Sequence, residues 1–425
     1  MSIAAAVLLL LLGACAAAGL LNALFPRRVW WAIAPSWGAA FVTTELAPHL
    51  ILISTLVAAL LAALGALGHA AGLVGLVLLA VTDLAAVPLI TSARRTRLST
   101  GSLLEELDIG DEHAEIPRYP TSHVFFPWRM FRRPGVRVVR GVEFARVDGR
   151  PLLADFYLPA EAPADGRRRP AVVQVHGGAW VLGSRREQGI PLLTHLAANG
   201  WVGMNIDYRL SPWAQWPDHV VDVKRAIAWL RANADDYAVD PSFIAITGGS
   251  AGGHLTALAA LTADDRSLQP GFEDADTSVA AAVPFYGVYD LLDEARVHAP
   301  ALHDTILAPL VFRVRRQHAP ERYRAASPRH RVHPGAPPFL LLHGTRDSLV
   351  PIADARAFVT ALREVSRQPV LLAEMVGGQH AFDVIPSWRT VPVIEAIERF
   401  LTTTYEQRRR DAAGLGAELE DALTD

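Results

Sequence analysis

A serine set among glycines, in Gly248-Gly249-Ser250-Ala251-Gly252, directly follows the apolar run Phe243 to Thr247 and directly precedes a helical pattern. Such a strand-to-helix turn exposes a hydroxyl on a tight bend, and glycines there let backbone and helix approach without Cβ clashes. A hydroxyl is a weak nucleophile unless a base takes its proton, and the dipole of the following helix favours negative charge developing beside it. The spacing therefore predicts nucleophilic catalysis at Ser250. Upstream, His176-Gly177-Gly178-Ala179-Trp180 ends the apolar run Ala171 to Val175. A glycine loop at a strand end can aim backbone N–H groups at the oxyanion of an acyl-transfer intermediate. Gly177 and Gly178 are the expected donors, with the N–H of Ala251 as the third, and His176 is expected to brace the loop.

The base and its orienting acid come later in the chain. Gly377-Gly378-Gln379-His380 follows the apolar run Val370 to Met375, and of the 15 histidines His380 alone combines a glycine-rich loop with that position. Asp347, in Leu342-His343-Gly344-Thr345-Arg346-Asp347, follows the run Phe339 to Leu342 and is placed to hold the imidazole in one tautomer. The competing role for Asp347 is capping a helix that starts near Ile352. Asp383 and Glu374 are the reserve carboxylates. Serine, aspartate and histidine thus stand in the chain order of a strand-based hydrolase.

Positioning these groups requires a scaffold of alternating strands and helices. Eight β-rich runs are predicted: Val136 to Val147, Leu152 to Leu158, Ala171 to Val175, Val202 to Ile206, Phe243 to Thr247, Val279 to Phe285, Phe339 to Leu342 and Val370 to Met375. Helical patterns lie between them, about 189–199, 217–233, 251–262, 352–365 and 390–404. Strand-helix alternation builds a mostly parallel sheet with helices on both faces, so the expected class is α/β with eight strands. The catalytic unit is expected over 136–406. Residues 98–135 are read as linker and cap, about 291–335 as a cap insertion, and 407–425 as a solvated helix or frayed tail. Trp180 and Gly249 are tentative pocket residues, and Phe125, Phe126, Trp128 and Phe131 are candidates to line an acyl pocket.

Taken jointly, these motifs resemble the hormone-sensitive-lipase-like branch of the α/β-hydrolase esterases over about residues 136 to 404. The likeness rests on His176-Gly177-Gly178, on Gly248 to Gly253 and on Asp207-Tyr208-Arg209-Leu210-Ser211-Pro212. It implies an α/β-hydrolase fold, ester hydrolysis without a metal or organic cofactor, and structural roles for Asp207 and Arg209. Gly249 departs from the family, which often has an acidic residue there. An N-terminal membrane region together with His-Gly-Gly-Ala-Trp is also similar to prenylcysteine methylesterases. The implied substrates are short- to medium-chain or lipidic esters. An amidase, formamidase or peptidase on the same machinery is the alternative, since fold does not fix the leaving group. An inactive hydrolase-fold scaffold is a reading from another class.

Residues 1–97 differ from the rest of the chain. Ile3 to Phe25 is an uncharged run long enough to cross a hydrocarbon core about 30 Å thick, and lacks the basic start of a cleaved signal. Two further apolar runs, about 50–67 and 70–90, are separated by Gly68 and His69 and predict a helical hairpin. Gly72 and Gly75 would allow close helix approach. Asp83 in the third run is costly in lipid, and is read as a helix-end or snorkelling group. Arg27 and Arg28 follow the first run and Arg94, Arg95 and Arg97 the third, which by the positive-inside rule puts the catalytic unit in the cytoplasm. The expected partners are therefore a bilayer and a small-molecule or lipid ester. A formal net charge of −3 with no basic aromatic stripe argues against nucleic acid, and the single cysteine, Cys15, excludes an internal disulfide.

Overall fold

The computed structural model describes residues 2–27, 32–105, 117–162 and 166–424. Eight strands form one sheet: β1 (Val136–Val147), β2 (Arg150–Pro159), β3 (Arg169–Val175), β4 (Val202–Ile206), β5 (Val239–Gly249), β6 (Ala281–Phe285), β7 (Phe339–Gly344) and β8 (Val370–Met375). Their order is β1-β2-β4-β3-β5-β6-β7-β8, with β1–β2 and β2–β4 antiparallel and every other pair parallel. Central strands such as β4 and β6 are buried along their whole length, as continuous apolar runs in a parallel sheet covered on both faces must be.

The connections between the parallel strands carry helices, and further helices precede β1. These are α1 (Ser2–Leu24), α2 (Ile33–Glu45), α3 (Ala47–Ala63) and α4 (Ala70–Glu105), followed by the short α5 (Thr121–Phe125). The sheet is flanked by α6 (Ile190–Ala198), α7 (Asp218–Ala232), α8 (Ala251–Leu261), α9 (Pro320–Ala325), α10 (Ile352–Val365) and α11 (Thr390–Thr424). One core joins α7, α8 and α10 to the sheet through Val223, Leu255 and Phe358. The other joins α6 and α11 to it through Leu193, Ile397 and Phe400. The stretch from Gln407 onward prolongs α11 as far as Thr424.

The N-terminal unit departs from three simple spans. Among the described residues, Ser2–Leu24 and Ala70–Ser92 are each long and apolar enough to cross a membrane. The expected second span is the 17-residue α3, preceded by α2 at a bend of 85°, so it counts as a third only if the bent pair is one span. Helix α2 has no counterpart in the apolar-run reading, because its residues are only moderately apolar. Gly75 does face a neighbouring helix, but that neighbour is α1 rather than the hairpin partner: a Cβ on Gly75 would lie 2.5 Å from the Leu9 carbonyl. Ser2 meets His69 at 3.0 Å, and Leu20 packs on Ala86 and Leu89. Helices α1 and α4 therefore run parallel in direct contact, with α3 running back alongside both. Asp83 lines a cavity of about 530 Å³ among α1, α2, α3 and α4. Arg28 lies outside the described residues.

The two expected cap segments are packed onto helices. Residues 106–116 lie outside the described part, and residues up to 105 continue α4. Beyond them Tyr119 and Arg133 pack on His195 of α6, and the Tyr119 N–H donates to Glu395 of α11, so this part rests on the α6/α11 face. The stretch about 291–335 forms a π-helical segment, Leu302–Val311, and α9, and Ala326 accepts a hydrogen bond from His254 of α8.

Candidate active site

Ser250 sits between β5 and α8 with φ 58° and ψ −119°, a left-handed conformation that L-residues rarely adopt. The bend is held by its N–H, which donates to the Phe285 carbonyl at the end of β6 at 3.0 Å. Strain of this kind persists only where the surroundings over-determine it, and it lifts the side chain off the sheet edge at the start of a helix. Ser250 itself is half-buried.

His380 and Asp347 come from the loops after β8 and β7. His380 Nδ1 donates to Asp347 Oδ2 at 2.6 Å, and both residues are buried. The other carboxylate oxygen accepts the N–H groups of Leu349 and Val350 at 2.9 and 2.8 Å. Asp347 thus both holds the imidazole and braces the turn before α10, which joins the two roles weighed for it. Burial acts to raise its pKa, but the charge of His380 and hydrogen bonds from His343 and His380 outweigh burial and hold the carboxyl far below its ordinary range. The reserve carboxylates are engaged elsewhere: Glu374 pairs with Arg356 at 2.6 Å, and Asp383 accepts the hydroxyl of Tyr286.

Two neighbours of this pair were not singled out from sequence. Gln379 Oε1 accepts the N–H of Ser348 at 2.7 Å and of His380 at 3.0 Å, stitching the acid and histidine loops together. Tyr286, after β6, lies with its ring 4.5 Å from the His380 ring and 2.7 Å from where a Cβ on Gly249 would stand. That explains the departure at Gly249: the tyrosine fills the space that a longer side chain before the serine would need. Burial, together with the Tyr286 contact, shapes the Asp383 carboxyl too; loss of water pushes it up to about 6 against the pull of the tyrosine hydroxyl. Tyr286 could have been found only by knowing that β6 neighbours β5.

The glycine loop requires corrections. The Gly177 N–H donates to Gln188 Oε1 at 2.7 Å, so it is already committed and is not the free oxyanion donor expected. Gly178, Ala179 and Trp180 have φ of 121°, 52° and 63°, a left-handed run that turns the loop back on itself. Among the described residues, the N–H groups of Gly178, Ala179 and Ala251 have no protein acceptor. Gly178 and Ala251 stay candidates, and Ala179 takes the place of Gly177. His176 braces the loop, as its Nδ1 meets the Gly177 carbonyl at 2.7 Å and its ring stacks on Tyr208 at 4.4 Å; burial lowers its pKa. Trp180 is no pocket wall: it is 2% exposed and donates its indole N–H to His254 at 3.2 Å. Gly249 is likewise buried under Tyr286. Phe125, Phe126, Trp128 and Phe131 are exposed instead of lining a pocket.

Behind the site, Arg185 pairs with Asp155 at 2.7 Å and with Asp207, and Arg209 is bound to Asp222 at 2.8 Å. Asp207 and Arg209 are thus each committed to an ion pair with another partner.

An elbow serine after β5 of an eight-stranded sheet, with a buried aspartate on the loop after β7 and a histidine on the loop after β8, defines the class: this chain belongs to the α/β-hydrolase esterases, in the hormone-sensitive-lipase-like branch. Residues 154–362 match the BD-FAE family model. The chain is 48% identical over 260 residues to esterase LipQ of Mycobacterium tuberculosis, covering 61% of each chain. It is 51% identical over 238 residues to the probable carboxylic ester hydrolase LipM of that organism, covering 56% of this chain and 54% of LipM. The alignments therefore span less than two thirds of these relatives. Among solved structures, the propionate-bound esterase 2 of Thermogutta terrifontis is 30% identical with a TM-score of 0.52, over 64% of this chain and 94% of that one.

Proposed function

We propose that this protein is a membrane-anchored serine hydrolase that cleaves carboxylic esters through an acyl-enzyme. The observation that carries the reading is the buried His380–Asp347 pair at 2.6 Å, together with a serine held at φ 58° on the turn between β5 and α8. Ser250 Oγ attacks the ester carbonyl carbon while His380 Nε2 takes its proton. The oxyanion is received by the N–H groups of Gly178, Ala179 and Ala251, and its collapse breaks the bond to the alcohol, which leaves with the proton from His380. Water then adds to the acyl carbon, gives a proton to His380 and releases the acid, restoring Ser250. Asp347 keeps Nδ1 protonated and supports the imidazolium. The chain's own residues supply nucleophile, base and charge support, so no cofactor enters any step.

Short- to medium-chain or lipidic acyl esters are the favoured substrates. Likeness to an esterase bound to propionate supports the short-chain end. The exposed rings of Phe125, Phe126 and Trp128, beside α3 through the 3.2 Å contact of His49 with the Phe125 carbonyl, support delivery from a membrane. The parallel α1 and α4 end on the same side as the catalytic unit, and Arg27 and Arg95 lie at those ends, which favours a cytoplasmic catalytic unit by the positive-inside rule. The test is Ser250→Ala in the full chain. Turnover of p-nitrophenyl butyrate and labelling by a fluorophosphonate should both vanish; retention of both would exclude Ser250 as the nucleophile.

A further inference from the structure

The loop that carries His380 is secured from outside the catalytic unit. It leaves β8 at Val376 and enters α11 at Arg389. Trp37, on α2, donates its indole N–H to the backbone carbonyl of His380 at 3.0 Å, and its ring stands edge-on to the imidazole at 6.3 Å. Arg389, 3% exposed, divides its donors three ways: Nε to Glu45 of α2 at 3.1 Å, Nη1 to the Val376 carbonyl at 2.6 Å and Nη2 to Ser92 of α4 at 2.8 Å. Ser387 donates to the second oxygen of Glu45 at 2.7 Å. A single guanidinium therefore closes the two ends of the histidine loop and fastens both to two helices of the N-terminal unit. Glu45 is 4% exposed, so a carboxylate removed from water is committed wholly to this loop.

The geometry matters because of how an imidazole is held. The bond from Nδ1 to Asp347 fixes one point of the ring and leaves rotation about that direction free. The residue after His380, Ala381, has φ 65°, so the backbone here is in an unfavoured conformation that requires outside support. Gln379 Oε1 holds the His380 N–H, and Trp37 supplies a further fixed point at the His380 carbonyl. Small misplacements matter, since a shift of about 1 Å can lower a rate about 100-fold.

We infer that Trp37 is a positioning residue for His380, with Arg389, Glu45 and Ser92 as its support, so that the N-terminal helices are a working part of the catalytic site and not only an anchor. The inference rests on His380 being the base. It follows that turnover depends on the register between the helices and the sheet.

The test uses the full chain in detergent micelles, with Trp37→Phe, which keeps an aromatic ring and removes the donor, and Ser92→Ala, which removes one acceptor of Arg389. Steady-state constants for p-nitrophenyl butyrate, the rate of fluorophosphonate labelling and the melting temperature are measured together. Trp37→Phe should lower kcat and the labelling rate about tenfold or more with KM within about twofold, and Ser92→Ala should lower kcat to a smaller degree. A kcat within about twofold of wild type for both variants, at unchanged melting temperature, would overturn the positioning role alone. So would a loss seen wholly in KM. Failure of the wild-type protein to label at Ser250, or full activity in His380→Ala, would overturn the catalytic assignment and this inference with it.

Discussion

In the proposed mechanism, Asp347 serves structure and chemistry together. One oxygen caps the turn before α10 and the other takes the proton side of His380 Nδ1. Replacing it by asparagine keeps the shape and the turn, but offers Nδ1 an amide that can favour the wrong tautomer. Asp347→Asn should therefore lower kcat on the order of 10⁴-fold while KM changes little, as steady-state kinetics would read. The same substitution has a pH signature. Because the folded carboxyl titrates far below its unfolded value of 3.8, its ionised form stabilises the fold fully above about pH 5, and that contribution is lost as pH falls below about 4. The melting-temperature gap between wild type and Asp347→Asn should be constant above pH 5 and narrow between about pH 4 and 3. A gap that widened there would contradict the assignment of the depressed pKa.

Among the elements, the contact of α1 with α4 is the one most dependent on a single position. The carbonyl and backbone nitrogen of Leu9 and Leu10 lie where a side chain on Gly75 would begin, at 2.5 Å. Backbone cannot step aside as a flexible side chain can, so Gly75→Leu must separate the two helices. The expected destabilisation is about 1–3 kcal/mol, read as a lower melting temperature in detergent, whereas the same change at Gly38, whose Cβ position is open, should be near neutral. Strands and helices of the catalytic unit were legible because their signals are local. Continuous apolar runs such as Phe243 to Thr247 and the glycines after them need no partner to be recognised. Helix α2 was not, since its moderate apolarity fits neither a span nor a surface helix until its neighbours are known.

For the molecule as a whole, the aromatic rim beside α3 should determine where it works best. Trp128 is 66% exposed, and Phe125 stacks edge-on with the exposed Trp388 at 5.8 Å, close to the loop of His380. Rings with one apolar face and one wet edge settle at the level of lipid headgroups. The double variant Phe126→Ser with Trp128→Ser should lower hydrolysis of an ester carried in lipid vesicles several-fold, while leaving turnover of a water-soluble ester in detergent close to wild type. Equal loss on both substrates would instead point to damage of the fold.

Sequence alone singled out the stretches of the candidate nucleophile, base and acid, and their order, because each is a short motif at a strand end whose meaning lies within ten residues of itself. It also separated an apolar N-terminal region from a strand-helix region. Tertiary structure alone decided which N–H groups are free, since Gly177 is committed to Gln188 by a contact across the loop. It decided that Tyr286 occupies the space over Gly249, and that Trp37 reaches His380 from 343 positions away in the chain. Contacts between distant segments depend on how sheet and helices stack, and no local pattern of residues carries that information.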